Sequence, residues 1–279
     1  MLAPYAVGMT VLWLLPALAA LPLALTDYDA LSPPEWVGAA NLAALAADEI
    51  FRTSVFNSLL YVALAVPLRL LGALGVALLL ARKLWGGAPL RAVFYLPTVV
   101  PDIAWALVWL WLLNPIFGPV NGLLRLVSVE GPAWMVDPWG ARFGVVLMML
   151  WQIGEGLVIC LAALADVPGE TLEQAAVDGA STWGAVRSVT LPLIAPALLI
   201  LLCRDTILSL QATFVPALIL GNGGGPNYAT TFLPMYAYDL AFGFFRFGYA
   251  AAVTWAMIAL TGLLLWVQFH LARRWSVGL

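Results

Sequence analysis

Five ionisable side chains interrupt the longest apolar stretches of this 279-residue sequence: Arg69, Asp102, Glu155, Arg204 and Asp205. A charge at the centre of a bilayer costs at least about 2.5–3.5 kcal/mol on insertion scales, so lone placement against lipid is strongly disfavoured. Two cations and three anions nearly balance, so we expect these side chains to face inward and to pair. We expect Glu155 to pair with Arg204. Arg69 then has either Asp102 or Asp205 as its partner.

Polar neighbours of these charges indicate a second possible role, which is contact with a hydroxyl-rich solute near the bilayer midplane. Residues three, four or seven apart share a helix face. The pairs at these spacings are Gln152 with Glu155, Asp205 with Ser209, and Arg204 with Gln211. The candidate substrate-pathway residues are therefore Asp102, Gln152, Glu155, Arg204, Asp205, Ser209 and Gln211. The alternative is that the charges only hold helices together and that the solute passes elsewhere.

The composition of the chain indicates that lipid, not water, surrounds these helices. Hydrophobic residues make up 63% of the sequence and charged residues only 10%, whereas soluble domains average about 25% charged residues. The net charge is −3 and there is no basic run, so we expect no nucleic-acid partner. Cys160 and Cys203 lie far apart in apolar runs, and His270 is the only histidine, so we expect neither a disulfide framework nor a metal site.

Six apolar runs are each long enough to cross about 30 Å of hydrocarbon as a helix. They are residues 5–25, 54–80, 92–113, 143–164, 193–220 and 248–270. We therefore predict an all-α, polytopic membrane protein with six transmembrane helices, formed by one domain over residues 1–279 with its core at 54–270. The first run resembles a signal peptide, but it lacks a positive start, and we expect it to be a retained span.

The distribution of Lys and Arg predicts the orientation, because cytoplasmic loops carry an excess of these residues. One side has Arg82, Lys83, Arg91, Arg187, Arg273 and Arg274, and the other has Arg52, Arg125, Arg142 and Arg246. The first side is thus expected to be cytoplasmic. With six spans, both termini are expected in the cytoplasm as well.

A polar segment at residues 166–192, between the fourth and fifth runs, contains "EQAAVDGASTWGAVRSVTLP". Thr171 and Gln174 have capping-box spacing, which predicts a helix start near Pro168. Gly179 can close that helix in the left-handed conformation, and Ser181 can cap a second one. Pro192 is expected to end the second helix near the membrane. We therefore predict two short helices at an angle on the cytoplasmic face, although an ordinary amphipathic connection packed on its own bundle remains the alternative.

The same segment resembles the EAA motif of permease subunits of binding-protein-dependent ABC importers, which reads Glu-Ala-Ala, then Gly, then Ile-x-Leu-Pro. The matching positions here are Glu173, Ala175, Asp178, Gly179 and Pro192, with Gln174 in place of the first Ala and Val189 in place of Ile. The resemblance covers nearly the whole chain. It includes "FYLPTVVPDIAWALVWLWLLNPIFGPVNGLL" and "LGNGGGPNYATTFLPMYAYDLAFGFFRFGYAAAV", and it is especially close to the carbohydrate-uptake branch.

The resemblance implies a type I importer in a bacterial or archaeal plasma membrane. In such an importer a second permease subunit, expected to be a different chain, completes the channel. Two ATP-binding cassette ATPases bind ATP and Mg, and an extracytoplasmic binding protein delivers the solute. Residues 166–192 would be the coupling helix, between transmembrane helices 4 and 5, with Glu173 in contact with the ATPase and Gly179 forming the bend. No cofactor is expected in this chain, and sugars, oligosaccharides, polyols and glycerol phosphates all remain open as solutes.

Two other classes of function compete with the permease. An ion-coupled secondary transporter would also hold charges at the midplane, but it would be expected to show inverted repeats and broken helices, and no repeat is evident. A membrane enzyme would need a clustered catalytic set, and the single histidine and the lack of a His-x-x-Glu-His type motif argue against a metalloprotease. The sequence also lacks the Gly-x-x-x-x-Gly-Lys phosphate loop, so we expect ATP to be bound by a separate subunit.

Overall fold

A computed structural model describes residues 2–81, 87–211 and 213–276, and most of these residues are helical. Within these ranges the strands form one antiparallel pair of two residues each, β1 (Thr26–Asp27) and β2 (Glu35–Trp36), and turns and loops connect the helices. The predicted all-α membrane fold is therefore confirmed. Arg82 and Lys83, used to predict the orientation, lie outside the described residues, as do the side chains of Arg273 and Arg274.

In chain order, the helices are α1 (Ala3–Leu23), α2 (Ala40–Ala47), α3 (Glu49–Leu80), α4 (Gly87–Tyr95), α5 (Asp102–Leu112), α6 (Pro119–Leu126), α7 (Pro138–Leu150), α8 (Gly154–Ala165), α9 (Gly169–Val177), α10 (Thr182–Gln211), α11 (Phe214–Leu220), α12 (Leu233–Tyr238) and α13 (Phe247–Ser276).

Four of these helices, α1, α3, α10 and α13, are long and apolar enough to cross a membrane without a break. Two further spans are bent. The segment Ala88–Thr98 meets α5 at 94°, and α7 meets α8 at 45°. Counting each bent pair as one span gives the predicted six. The prediction of unbroken helices at 92–113 and 143–164 is wrong.

Proline and close packing explain the two breaks. Pro97 lies in a short 3-10 turn, and Pro101 precedes α5 in an extended conformation with ψ 137°, so the helix cannot run through. At the second break, a Cβ on Gly154 would lie 2.8 Å from the Cα of Tyr95. The two breaks therefore touch each other, and Gly154 allows this close approach.

The fifth span differs from its predicted limits of 193–220. Helix α10 begins earlier, at Thr182, and ends at Gln211, while the short helix α11 follows as a separate element. Pro192 does not end a helix, so that prediction is wrong. The N–H of Leu191 bonds to the carbonyl of Val186, five residues back, and this wider π-type turn accommodates the proline ring.

Helix α3 is central to the bundle and packs against α7, α8 and α10. The C-terminal half of α3 contacts α8 and α10. Ala73 and Ala77 of α3 pack there against Leu157 of α8 and Leu201 of α10. A second core surrounds Tyr61 and Phe232, where α3 meets the segment before α12. The alanines at the contacts of α3 with α8 and α10 allow these helices to approach closely, which favours their association where lipid provides no hydrophobic driving force.

Candidate functional site

A cavity of about 340 Å³ opens between α3, α8 and α10, at the point where the two bent spans break. Six of the seven predicted pathway residues line it: Asp102, Gln152, Glu155, Arg204, Asp205 and Ser209. Gln211 does not, because it ends α10, about 10 Å along the axis from Arg204 at 1.5 Å per residue. The structure thus brings the candidates together, and their contact with a solute remains a prediction.

Arg69 forms the buried ion pair of the cavity. Its Nη2 lies 3.0 Å from Oδ2 of Asp205, and the two side chains are only 9% and 15% exposed. The same nitrogen donates a hydrogen bond to the hydroxyl of Ser209, one helical turn further along α10. Of the two partners that the sequence left open for Arg69, the structure selects Asp205. Removing one partner of such a pair is costly because it leaves an uncompensated buried charge.

Arg204 forms a second ion pair with Glu155, as predicted. This pair is more exposed than the first, at 37% and 52% of the two side chains. Glu155 is the second residue of α8, so its carboxylate lies at the break of the fourth span. Arg204 and Asp205 are consecutive residues of α10, and each contacts a different neighbouring helix.

Asp102 has a different environment from the other two carboxylates. It is the first residue of α5, where the helix dipole favours a negative charge, and its side chain is exposed. Among the residues that the structure describes, the ion pairs do not include Asp102. The alternative pairing of Arg69 with Asp102 is therefore wrong.

Sequence reasoning missed two polar residues that line the cavity, Arg69 and Thr98. Arg69 was predicted to be paired inside the membrane but was not named as a pathway residue. Thr98 lines the cavity from the 3-10 turn that follows α4, where its hydroxyl donates to the carbonyl of Tyr95 at 2.6 Å. Its position directly after Pro97, at the break, was the available signal.

Outside the bundle, the segment 166–192 forms a bent, exposed element. Helix α9 has no buried residue. Gly179 follows it with φ +81°, and the N–H groups of Gly179 and Ala180 bond to the carbonyls of Ala176 and Ala175. This is the Schellman arrangement that glycine permits at a helix end. The predicted closure at Gly179 is confirmed.

The starts of both helices lie where the sequence predicted, near Pro168 and after Ser181, but only the second has its predicted cap. The hydroxyl of Ser181 accepts a hydrogen bond from the N–H of Gly184 at 3.1 Å, which is the predicted cap. The predicted capping box at Thr171 and Gln174 is wrong, since α9 already begins at Gly169 after Pro168, with no side-chain cap. The extended backbone of Pro168 sets that start instead.

The motif residues of this segment present an exposed surface. Glu173, Asp178 and Gly179 are exposed, while Ala175 is half-buried and Pro192 lies within α10. Two large apolar side chains flank the bend, Val177 at 87% exposed and Trp183 at 67%. Helix α9 packs against the start of α10, and the exposed side of the bend is available to another protein.

Comparison with known proteins identifies the family. The model of the family described as "Binding-protein-dependent transport system inner membrane component" matches residues 70–277. The chain belongs to this family. The permease is also 34% identical to the probable ABC transporter permease protein YesP of Bacillus subtilis, over 98% of this chain and 89% of that protein.

Two further comparisons concern the branch and the fold. The permease is 30% identical to the sulfoquinovosyl glycerol transport system permease protein SmoG of Agrobacterium fabrum, over 98% of this chain and 89% of the relative. It superposes with a TM-score of 0.81 on a chain from the crystal structure of a bacterial ABC transporter involved in the import of the acidic polysaccharide alginate. That match has 22% identity and covers 98% and 94% of the two chains, so it shows the fold alone.

These findings confirm the resemblance to ABC importer permeases, including their carbohydrate-uptake branch. The permease is a multi-pass protein of the inner membrane. The two bent spans are a feature that was expected of the rival class, the ion-coupled secondary transporters. The family match nevertheless places the chain among permeases.

Proposed function

We propose that this permease forms, with a second permease subunit, the pathway for ATP-driven uptake of a carbohydrate-type solute that an extracytoplasmic binding protein delivers. The carbohydrate class is supported by the relative named for sulfoquinovosyl glycerol transport. The cavity supports it too, because its carboxylate, amide and hydroxyl groups suit a solute rich in hydroxyls.

The observation that carries the proposal is the exposed bend after α9. Helix α9 has no buried residue, is closed by a left-handed glycine, and is flanked by exposed Val177 and Trp183, so its own bundle leaves most of its surface uncovered. It provides a small projecting surface that a separate ATPase can hold and move. We propose that Glu173 makes the polar contact with the ATPase there. The ATPase subunits would bind ATP and Mg, and this chain would bind no cofactor.

A second permease subunit is proposed to cover the open side of the cavity. Asp102, Glu155 and Arg204 are all partly or fully exposed in this chain, and charges at this depth are too costly to face lipid. A partner that completes the cavity wall removes that cost. We propose a heterodimer, with the bend after α9 and both termini on the cytoplasmic side.

Gly179→Asp tests this function. A Cβ at Gly179 would meet nothing within 4 Å, so the new side chain has space and only the backbone conformation is strained. We expect normal insertion into the membrane, a loss of solute uptake of at least about tenfold, and ATPase activity that no longer responds to solute. The measurement is uptake and solute-stimulated ATPase activity of the assembled importer in proteoliposomes.

The matched control is Gly38→Asp. Gly38 also has a positive φ, +60°, and open space around its Cβ position, but it lies in the segment after β2. This variant carries the same strain and the same new charge, and it should retain uptake. Normal solute-stimulated uptake by Gly179→Asp would show that the segment is only a connector.

The two bent spans favour a second candidate, an ion-coupled secondary transporter, and a direct test separates it. Uptake is measured in cells depleted of ATP while the ion gradient is preserved. The importer proposal requires uptake to stop under these conditions. Uptake that continues would establish ion coupling instead.

A further inference from the structure

The charges around the cavity bear on which solutes this chain can pass. The inference rests on the proposed function in one respect, namely that the cavity lies on the solute pathway. We propose that the pathway wall formed by this permease selects against anionic solutes, so that the carbohydrate it transports is uncharged.

The two guanidinium groups of the cavity would be the natural binding groups for an anion, but both are already engaged. Arg69 is 9% exposed and is held between the carboxylate of Asp205 and the hydroxyl of Ser209. Arg204 is paired with Glu155. An anion that took Arg204 from Glu155 would leave that carboxylate uncompensated beside it, so the exchange would gain little.

The charge that remains in the lining is negative. The ionisable residues that line the cavity are two cations, Arg69 and Arg204, and three anions, Asp102, Glu155 and Asp205, so the sum of formal charges is −1. The excess belongs to Asp102, whose carboxylate is exposed and is in none of the ion pairs among the described residues.

The apolar surroundings strengthen the effect of this excess charge. Much of the remaining lining is apolar, with Leu70, Ala73, Leu201 and Leu208 among it. Walls of low dielectric constant concentrate the field of a charge in a cleft, which lowers the local concentration of ions of the same sign. One uncompensated carboxylate in this cavity therefore repels an anion far more than it would at a water-exposed surface.

The polar groups left for a solute suit an uncharged one. The carboxylate of Asp102 accepts hydrogen bonds, and the side-chain amide of Gln152 both donates and accepts them. Sugar hydroxyls can meet both requirements without bringing a charge. An uncharged solute would set this chain apart from the structural neighbour whose name specifies an acidic polysaccharide. It would also set the chain apart from the relative named for sulfoquinovosyl glycerol, whose sugar carries an anionic sulfonate.

The test measures the field in the cavity with charged thiol reagents, which need neither ATP nor a binding protein. Cys160 and Cys203, both buried, are replaced by Ala, and Gln152→Cys then places one thiol in the cavity. A separate variant, in the same background without Cys160 and Cys203, carries Val127→Cys as the control. Val127 lies outside the cavity and is 67% exposed. Each thiol is modified with two charged methanethiosulfonate reagents, one with a cationic trimethylammonium group and one with an anionic sulfonate group. The rate with each charged reagent is divided by the rate with the neutral methyl methanethiosulfonate, and the two quotients are compared.

We expect the cationic-to-anionic ratio for the thiol at position 152 to exceed that for the thiol at position 127 by at least about tenfold. Asp102→Asn or Glu155→Gln brings the formal charge of the lining to zero, and each should return the ratio close to that of the control. The double variant Asp102→Asn/Glu155→Gln makes the formal charge of the lining +1, and its thiol at position 152 should react faster with the anionic reagent than with the cationic one. Division by the neutral reagent's rate corrects for altered access in a misfolded variant.

Equal ratios at positions 152 and 127, or a preference for the anionic reagent at position 152, would overturn the proposal. The solute itself is checked with a ligand screen on the cognate binding protein. Uncharged carbohydrates should bind, and binding restricted to uronate or phosphorylated sugars would also overturn it. The labelling ratio does not depend on the outcome of the Gly179→Asp uptake test, so failure of this inference and failure of the proposed function are distinguishable.

Discussion

Asp48 joins three distant parts of the chain through one carboxylate. It caps the start of α3, accepting hydrogen bonds from the N–H groups of Ile50 at 2.9 Å and Phe51 at 3.0 Å. Its other oxygen accepts from the hydroxyls of Tyr236 and Tyr249. Partial burial alone would raise the pKa of Asp48, but these hydrogen bonds outweigh it and the pKa is lowered.

Asp48→Asn tests this junction through its pH dependence. Asparagine is also a good helix cap, so the variant mainly removes the charge that strengthens the tyrosine hydrogen bonds. We expect a loss of about 1 kcal/mol at neutral pH, a modest value because the group is partly exposed. The measurement is the thermal midpoint of both proteins in detergent between pH 3 and pH 8.

The direction of the pH effect follows from the lowered pKa. The contribution of the Asp48 charge is complete above the unfolded-state pKa of about 3.9 and is lost as the pH falls through the lower folded-state pKa. The wild-type and Asp48→Asn midpoints should therefore differ by a constant amount down to about pH 5 and converge below about pH 4. A difference that persists unchanged at pH 3 would contradict this role.

At the residue scale, the sequence predicted the ion pairs, because a charged side chain inside an apolar run is too costly to face lipid alone. Burial in an apolar run required partners for Arg204 and Arg69, and the structure supplies Glu155 and Asp205. The role of Asp48 was not predictable, because its tyrosine partners lie 188 and 201 residues further along the chain. Nothing local signals a contact of that separation.

At the scale of helices, prolines are the local signal for the places where the apolar spans bend or change their turn. Pro97 and Pro101 both lie inside the apolar run 92–113, and they are the local signal for the 94° bend that the run's length and hydropathy concealed. Pro192 carried the same signal, yet helix α10 continues past it because a π-type turn precedes it. A proline thus marks where a helix must adjust, and packing decides whether it bends, widens or ends.

Gly154→Ala tests whether the two breaks depend on each other. A Cβ there would lie 2.8 Å from the Cα of Tyr95 and 2.9 Å from the Cγ2 of Thr98, so the 3-10 turn must move. We expect a loss of stability of about 1–3 kcal/mol, since overpacking of a tight contact costs that much. Thermal unfolding in detergent measures it, and solute uptake should fall as well because the cavity lies at this contact.

Gly75→Ala is the matched control for that variant. Gly75 lies inside α3 with nothing within 4 Å of its Cβ position, so the added methyl group meets no neighbour. It should be neutral or should gain up to about 1 kcal/mol from the better helix propensity of alanine. Equal effects of the two substitutions would show that the contact between the breaks is not close-packed.

At the scale of the whole molecule, the orientation in the membrane is open to direct measurement. We expect Val127 and Val177 to lie on opposite sides of the membrane. Val127 follows α6 on the predicted extracytoplasmic side, and Val177 ends α9 on the predicted cytoplasmic side. Each is exposed, at 67% and 87%, and is replaced singly by Cys in the background without Cys160 and Cys203. An impermeant thiol reagent added to intact cells should label the thiol at position 127 and spare the one at position 177. The reverse pattern would invert the topology.

The proposed coupling role of the bend is tested most directly by a cross-link from the exposed end of α9. A photoreactive benzoylphenylalanine at Val177 is irradiated in the assembled importer, with the same group at Val127 as the control. We predict an adduct between position 177 and an ATPase subunit, with none to that subunit from position 127. Adducts from position 177 to this chain's own helices alone would contradict the claim that the bend couples the permease to a separate motor.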